Sequence, residues 1–392
     1  MIKLSDVCEF IVDCPHSTAK DEREGFPLIR TPNIGKGRLI LEGVHRVSES
    51  VYNKRNARAV PQDDDLIFAR EAPAGNVAII KKGEKVCLGQ RTVLLRPNKK
   101  LVNPDFLAYF LLAPEQQYGL LGTANGATVA HVNIPTIREL KIQLPPLEVQ
   151  TRIAEILTAY DDLVENNQKQ IKLLEEAAQR LYKEWFVDLR FPGHEITPIT
   201  NGIPEGWKSC TLNDICTVKK GSVSADKVEK DTPYIGLEHM PRVDFCLSNW
   251  GSAEEVTSNK FRYAEDDIIF GKIRPYFHKV GFAINNGVVS TDSFVLEAKE
   301  GLWGLLLMTV FDKAFVDYTY QTCKEGAKMP RADWNQMEKY PVLVPSEGVR
   351  QKFEDYIWNV TRRIKALALQ NHVLAESRDR LLPKLMNGEI EV

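Results

Sequence analysis

The chain is written twice, and no other feature restricts its possible folds as much. The segment "LSDVCEF" at 4–10 returns as "LNDICTV" at 212–218. "FPLIRTPNI" at 26–34 is answered by "TPYIGLEHM" at 232–240, and "PQDDDLIFAR" at 61–70 by "YAEDDIIFGK" at 263–272. "GATVAHVNIPTIRELKIQLPPLEVQ" at 126–150 faces "GAKMPRADWNQMEKYPVLVPSEGVR" at 326–350, at a constant offset of 200 residues. Identity is low, but the order of segments holds along the whole chain. Such a repeat predicts two like domains rather than one large core. With 392 residues, 43% of them hydrophobic, the chain has apolar material for both.

Each matched block leads into a long helical pattern. In the first copy Ile153, Leu157, Tyr160, Val164, Asn167, Ile171, Leu174, Ala178 and Leu181 are spaced alternately by four and three. In the second, Phe353, Ile357, Val360, Ile364, Leu367, Asn371, Leu374, Arg378 and Leu381 repeat that spacing. A single seam sustained for about four heptads is the signature of a coiled coil. If Ile153 is position a and Leu157 position d, Asn167 falls at a and Asn371 at d. Antiparallel helices layer a on d, so the two asparagines share a layer and set the register. The first helix, about 149–186, would span roughly 57 Å at ~1.5 Å per residue.

The predicted order is a first globular module at 1–145, a helix at 146–190, a linker at 191–204, a second module at 205–345, and a second helix with tail at 346–392. The linker "FPGHEITPITNGIP" is rich in Pro, Gly and Thr. Within the modules, strand-like runs ("LIFAR", "NVAII", "TVLLRP"; "DIIFGK", "VGFAI", "SFVLEA") alternate with helical ones ("NPDFLAYFLLAP"; "GLWGLLLMTVFDKAFVDY"). The expected class is α+β: two similar α/β domains in a pseudo-twofold arrangement, separated by two long antiparallel coiled-coil helices. "GLWGLLLMTVF" is too short to span a bilayer, and no secretory leader is read at the N-terminus. Seven scattered cysteines without a CxxC pair fit free thiols in a reducing cytoplasm.

Motifs for chemistry are sparse. Nothing fits a phosphate-binding glycine loop, an HExxH pair or the Asn-Pro-Pro-aromatic motif of amino-methyltransferases. Asp292, Glu297 and Lys299 in "STDSFVLEAKE" resemble a metal-holding nuclease triplet, but the first copy has Arg91 in place of Asp292. The loops are more informative. The first module carries a net charge of +4 and the second −3, so there is no global basic footprint. Basic and amide side chains nevertheless gather at the matched loops: Arg30 and Asn33 opposite His239; Arg70 opposite Lys272, Arg274 and His278; Thr128, His131 and Asn133 opposite Lys328, Arg331 and Asp333. Such donors and acceptors at loop tips read base edges and hold phosphates. One scaffold with different tips suits two readers of two sequences.

"IQLPPLEVQTRIAEIL", "LYKEWFVDLRFPG", "GIPEGWKSCTLNDICTV" and "RDRLLPKLMNGEI" together resemble the specificity (S) subunit of type I restriction–modification systems, over essentially the whole chain. The resemblance implies a cytoplasmic, non-catalytic subunit that reads a bipartite asymmetric site in double-stranded DNA, one target-recognition domain per half-site. It implies docking of two methylation (M) subunits and of restriction (R) subunits. It also implies that S-adenosylmethionine, ATP and Mg belong to those partners, with no cofactor or metal in this chain. "VPSEGVRQKFEDY" departs from the usual Pro-Pro-Leu-Glu-Gln run, which could make the two partner contacts unequal. Trp185 and Phe186, at the tip of the first helix, are candidate partner contacts. The competing readings are a metal-dependent nuclease centred on Asp292, Glu297 and Lys299, and a helical scaffold with no DNA role.

Overall fold

A computed structural model describes residues 1–122, 131–323 and 328–392. It divides into two compact units: Met1–Val164 with Val373–Val392, and Glu165–His372. Each unit is built round a five-stranded sheet with the same strand order. In the first unit that order is Cys8–Asp13, Thr92–Pro97, Leu66–Ala69, Val77–Ile79, Gly37–Arg38. In the second it is Cys216–Val218, Ser293–Ala298, Ile268–Gly271, Val280–Ala283, Cys246–Leu247. All neighbours are antiparallel except the last pair, which is parallel in both. The internal repeat is therefore a repeat of topology.

The central strand shows why. Leu66–Ala69 and Ile268–Gly271 are buried at every residue, because a sheet covered on both faces selects a continuous apolar run rather than an alternating one. The acidic turns before them have matched roles. Asp64 and Asp266 take the left-handed backbone, at φ 71° and 67°. The next carboxylates turn inward. Asp65 accepts both arms of Arg96, at 2.8 and 2.7 Å, and Asp267 accepts Lys219 at 2.8 and 3.0 Å. The "DDL/DDI" repeat is thus a turn residue followed by a buried charge paired across the sheet.

One face of each sheet carries two short helices: Pro104–Leu112 and Pro114–Leu121 in the first unit, Trp303–Phe311 and Lys313–Gln321 in the second. Asn103 caps the first of these by accepting from Phe106 N at 3.0 Å. Asp312 breaks the predicted single run at 301–318 and caps Lys313–Gln321 through Ala314 N at 2.8 Å. Gly304–Phe311 is wholly buried, so the apolar stretch is core. No helix among the described residues is long and apolar enough to cross a membrane. All seven cysteines are free.

The long helices run Leu147–Tyr182, continuing as a π-helical turn Lys183–Val187, and Glu347–Met386. The unit boundaries fall inside them rather than at their ends. In the first unit, Ile153, Ala154 and Leu157 join Leu382 and Leu385 in one core with Phe106 and Phe110. In the second, Ala178 joins Phe353, Ile357, Val360 and Ile364 in one core with Leu305 and Phe311. Within each unit the helix segments run antiparallel. Asp161 meets Arg378 in the first; Asn167 meets Asn371, and Trp185 meets Phe353, in the second. Stepping back along one helix accompanies stepping forward along the other. The segments differ from a free-standing spacer because residues flanking the seam, such as Ala154 and Ala368, are buried against the module cores.

Candidate nucleic-acid interface

The matched loops of each unit meet at one rim of its five-stranded sheet, held by the same backbone ladder. In the first unit Arg70 N donates to Arg91 O at 2.9 Å, and Val132 N donates to Arg70 O at 3.0 Å. In the second Lys272 N donates to Asp292 O at 2.7 Å, and Ala332 N donates to Lys272 O at 2.8 Å. Three segments distant in sequence are thereby fixed side by side: the end of the central strand, the turn before the neighbouring strand, and the lead-in to a short helix. The remaining loop joins through Thr31 Oγ1 donating to Ala72 O at 3.2 Å in the first unit, and through Lys279 Nζ donating to Leu237 O in the second.

The side chains on this shared frame differ. In the first unit the Arg70 side chain is only 12% exposed. It donates to Val132 O at 2.9 Å and to His131 Nε2 at 2.8 Å, and pairs with Asp13 at 3.3 Å. Because arginine offers no acceptor, His131 Nε2 must accept, which leaves Nδ1 to donate to Glu71 Oε1 at 2.6 Å. The second Glu71 oxygen holds Arg91 Nε at 2.9 Å. In the second unit Lys272 lies over the Phe294 ring at 4.3 Å and donates to Thr291 O at 2.8 Å; burial lowers its pKa. Arg331 pairs with Asp292 at the surface.

The structure sorts the expected contact residues into spent and free ones. Asn33 is buried; it donates to Ile40 O at 3.1 Å and accepts from Arg30 N at 3.2 Å, so it shapes its own turn. Arg30 is half-buried, with an enclosed Nε. Arg70 and Lys272 brace the rim. His239 Nδ1 accepts from Gly236 N at 3.0 Å, and its ring meets Tyr234 edge-on. His278 donates through Nε2 to Phe311 O at 2.7 Å, and burial lowers its pKa, so it stays neutral and internal. Arg274 donates its backbone N–H to Pro330 O at 2.8 Å and is half-buried. Asp333 is exposed and caps the helix Trp334–Met337 through Asn335 N at 3.0 Å. Asn133, Lys328 and Arg331 are exposed and His131 is partly so. Thr128 lies outside the described residues. Sequence reasoning passed over Glu71 and did not consider Arg91 as a contact.

Trp185 and Phe186, the candidate partner contacts, also pack within their own unit. Both are half-buried within the second unit, with ring centroids 5.8 and 4.7 Å from Phe353, and Phe186 also lies 5.5 Å from Trp207. The aromatic tip packs on its own unit's core, where partial burial of these rings is favourable. Asn167 Nδ2 donates to Asn371 Oδ1 at 2.9 Å and to Gln370 Oε1 at 3.0 Å. The nuclease triplet does not converge. Asp292 faces Arg331, Glu297 lies 3.4 Å from Lys219, and Lys299 Nζ donates to Asn213 O at 3.1 Å. Among the described residues no three His, Cys, Asp or Glu side chains are grouped to hold a metal.

The family model for the type I restriction modification DNA specificity domain matches residues 1–176 and 204–373. The MjaIX specificity subunit of Methanocaldococcus jannaschii, described as part of a type I restriction enzyme, is 27% identical, covering all of this chain and 93% of the relative. The HindI specificity subunit of Haemophilus influenzae is 20% identical over 85% of this chain and 88% of its own length. The crystal structure of a type I S subunit from M. genitalium superposes with a TM-score of 0.58 at 16% identity, covering 98% of this chain and 95% of that one, which shows a shared fold.

Proposed function

The chain belongs to the type I restriction-modification DNA specificity family, and on that premise we propose that each of its two units reads one half of a split, asymmetric DNA site. The observation that supports this is the repeated rim. The same backbone ladder joins 70, 91 and 132 in one unit and 272, 292 and 332 in the other, yet the exposed groups it presents are different. Direct readout needs a rigid frame with side chains that differ where the bases differ.

In this reading the chain positions and the partners react. It carries out neither cleavage nor methyl transfer; two methylation subunits and the restriction subunits assemble on it and supply S-adenosylmethionine, ATP and Mg chemistry. The exposed side chains of Asn133, Lys328 and Arg331 face the duplex, while Arg70, Lys272, His239 and His278 hold the rim. Arginine pairs bidentately with guanine and asparagine with adenine, each good pair discriminating by about 1–3 kcal/mol.

Site selection from a randomised duplex, using the chain assembled with its methylation subunits, tests the assignment. Arg331→Ala is expected to relax one base pair in the half-site of the second unit and leave the other half intact, and Asn133→Ala to do the reverse. Loosening of both halves together by either change contradicts independent readers. In parallel, the chain alone with Mg²⁺, ATP and S-adenosylmethionine should leave DNA uncut and unmethylated. Cleavage lost on Lys299→Ala would contradict the positioning role.

A further inference from the structure

In the second unit an exposed arginine, Arg331, is held by a carboxylate, Asp292, across the rim. The first unit contains the same pairing with its parts exchanged. Position 91, the ladder counterpart of Asp292, is now the arginine, and position 131, the counterpart of Arg331, is a histidine. The carboxylate comes from Glu71, two residues past the end of the strand Leu66–Ala69. Glu71 meets both: Oε1 accepts from His131 Nδ1 at 2.6 Å, and Oε2 forms an ion pair with Arg91, 2.9 Å from its Nε. Arg91 leaves 61% of its side chain in solvent, close to the 55% of Arg331, whereas Arg70 leaves 12%.

We propose that Arg91 is a sequence-reading contact of the first unit and that Glu71 is its positioning residue. The geometry supports this in three steps. Arg70 is consumed by Asp13, Val132 O and His131, so it cannot reach a base without dismantling the rim. Among the described residues Arg91 makes its ion pair through Nε, which leaves its two terminal nitrogens as the planar fork that matches the acceptor pair of guanine. Glu71, itself 19% exposed, restricts the guanidinium before DNA arrives, which reduces the side-chain entropy lost on binding. Arg91 also sits in the left-handed backbone region at φ 63°, where a non-glycine residue needs support from its surroundings. The ladder bond from Arg70 N to Arg91 O, 2.9 Å, supplies some of it.

This proposal rests on the DNA-reading role proposed above. The test uses the full chain assembled with its methylation subunits, carrying Arg91→Ala, Arg91→Lys or Glu71→Gln. Binding is measured to the selected duplex and to a set of duplexes with every single-base change in both half-sites, at two salt concentrations. Arg91→Ala and Arg91→Lys should each lower discrimination at one base pair of the first half-site by on the order of 5- to 100-fold, because lysine keeps the charge but not the fork. Glu71→Gln should lower discrimination at that same base pair by a smaller factor and add little in combination with Arg91→Ala. Undiminished selection in the second half-site reports that the variants are folded and assembled. Equal weakening on all duplexes with a shallower salt dependence would make Arg91 a phosphate contact and overturn the proposal. Full rescue of discrimination by Arg91→Lys, or no change with Arg91→Ala, would also overturn it. A wild-type complex that selects no split site would instead sink the broader reading.

Discussion

The C-terminal end of the chain is tied to the first unit by a buried ion pair, and removing Arg378 should measure the strength of that tie. Asp161 is only 5% exposed and Arg378 15%. The carboxylate accepts from the Arg378 guanidinium and from the Tyr109 hydroxyl at 2.5 Å. Burial, then the neighbouring carboxylate, raises the Tyr109 pKa, so the phenol stays a donor. The site leaves little room beside this carboxylate: Gly37 lies at φ 88°, and a Cβ there would sit 3.3 Å from Asp161 Oδ2. Arg378→Met preserves much of the volume and leaves the carboxylate with the Tyr109 hydroxyl and the nearby Arg38 charge. Breaking a buried pair from one side costs about 3–5 kcal/mol, and the surviving Tyr109 bond places this case near the lower end, about 3 kcal/mol. The assay is urea unfolding, with hydrogen exchange of the 373–386 amides to localise the loss to the first unit. The combined variant Asp161→Leu, Tyr109→Phe, Arg378→Met removes the pair and the phenol together, leaves Arg38 its bond to Asp162, and should recover most of the loss. A loss under about 1 kcal/mol for Arg378→Met, or one that fades in 1 M salt, would show a solvent-screened surface pair and refute the reasoning.

Glu175 tests the second unit. It is buried and accepts from Phe245 N and Cys246 N at 3.0 and 3.1 Å, and burial, then the Asp244 carboxylate, pushes its pKa up to about 8. The folded state then keeps a proton that the unfolded state releases above about 4.5. This group's contribution is present at low pH and is lost as pH rises through 4.5 to 8. Glu175→Gln should flatten that part of the urea-midpoint profile between pH 5 and 9, and parallel profiles would contradict the assignment. A third prediction concerns length: inserting one heptad after Val164 and one after His372, where the units divide, keeps every seam layer in phase and adds roughly 10 Å. The methylated site should gain about three base pairs in its gap with both half-sites unchanged; an unchanged gap would mean that helix length does not set the spacing.

The sequence was most legible where burial is continuous. "LIFAR", "TVLLRP", "DIIFGK" and "SFVLEA" contain the strands Leu66–Ala69, Thr92–Pro97, Ile268–Gly271 and Ser293–Ala298, because a covered central strand leaves an uninterrupted apolar run. The two-residue strands Gly37–Arg38 and Cys246–Leu247 carry no periodicity to read. Seam spacing anticipated the long helices, but not that each would be divided between two cores. That depends on flanking residues, such as Ala154, Glu175 and Ala368, whose burial needs a neighbour to be seen. The loops were found as loops, but a list of polar residues cannot separate donors already committed from those left over. Asn33 and His278 were expected at the surface and are spent inside. Arg91 was noticed only as a mismatch to Asp292, and its exposure and its tie to Glu71 belong to the fold.

On the reading proposed above, this one chain gives a methylating complex a split address, one half from each unit. Sequencing of modified bases in DNA from cells that carry the chain together with its methylation subunits tests it most directly. The account predicts a single asymmetric motif, two defined blocks separated by a fixed run of unspecified bases, that disappears when the chain is deleted. Methylation that is unaltered by the deletion, or that falls on one uninterrupted motif, would contradict it.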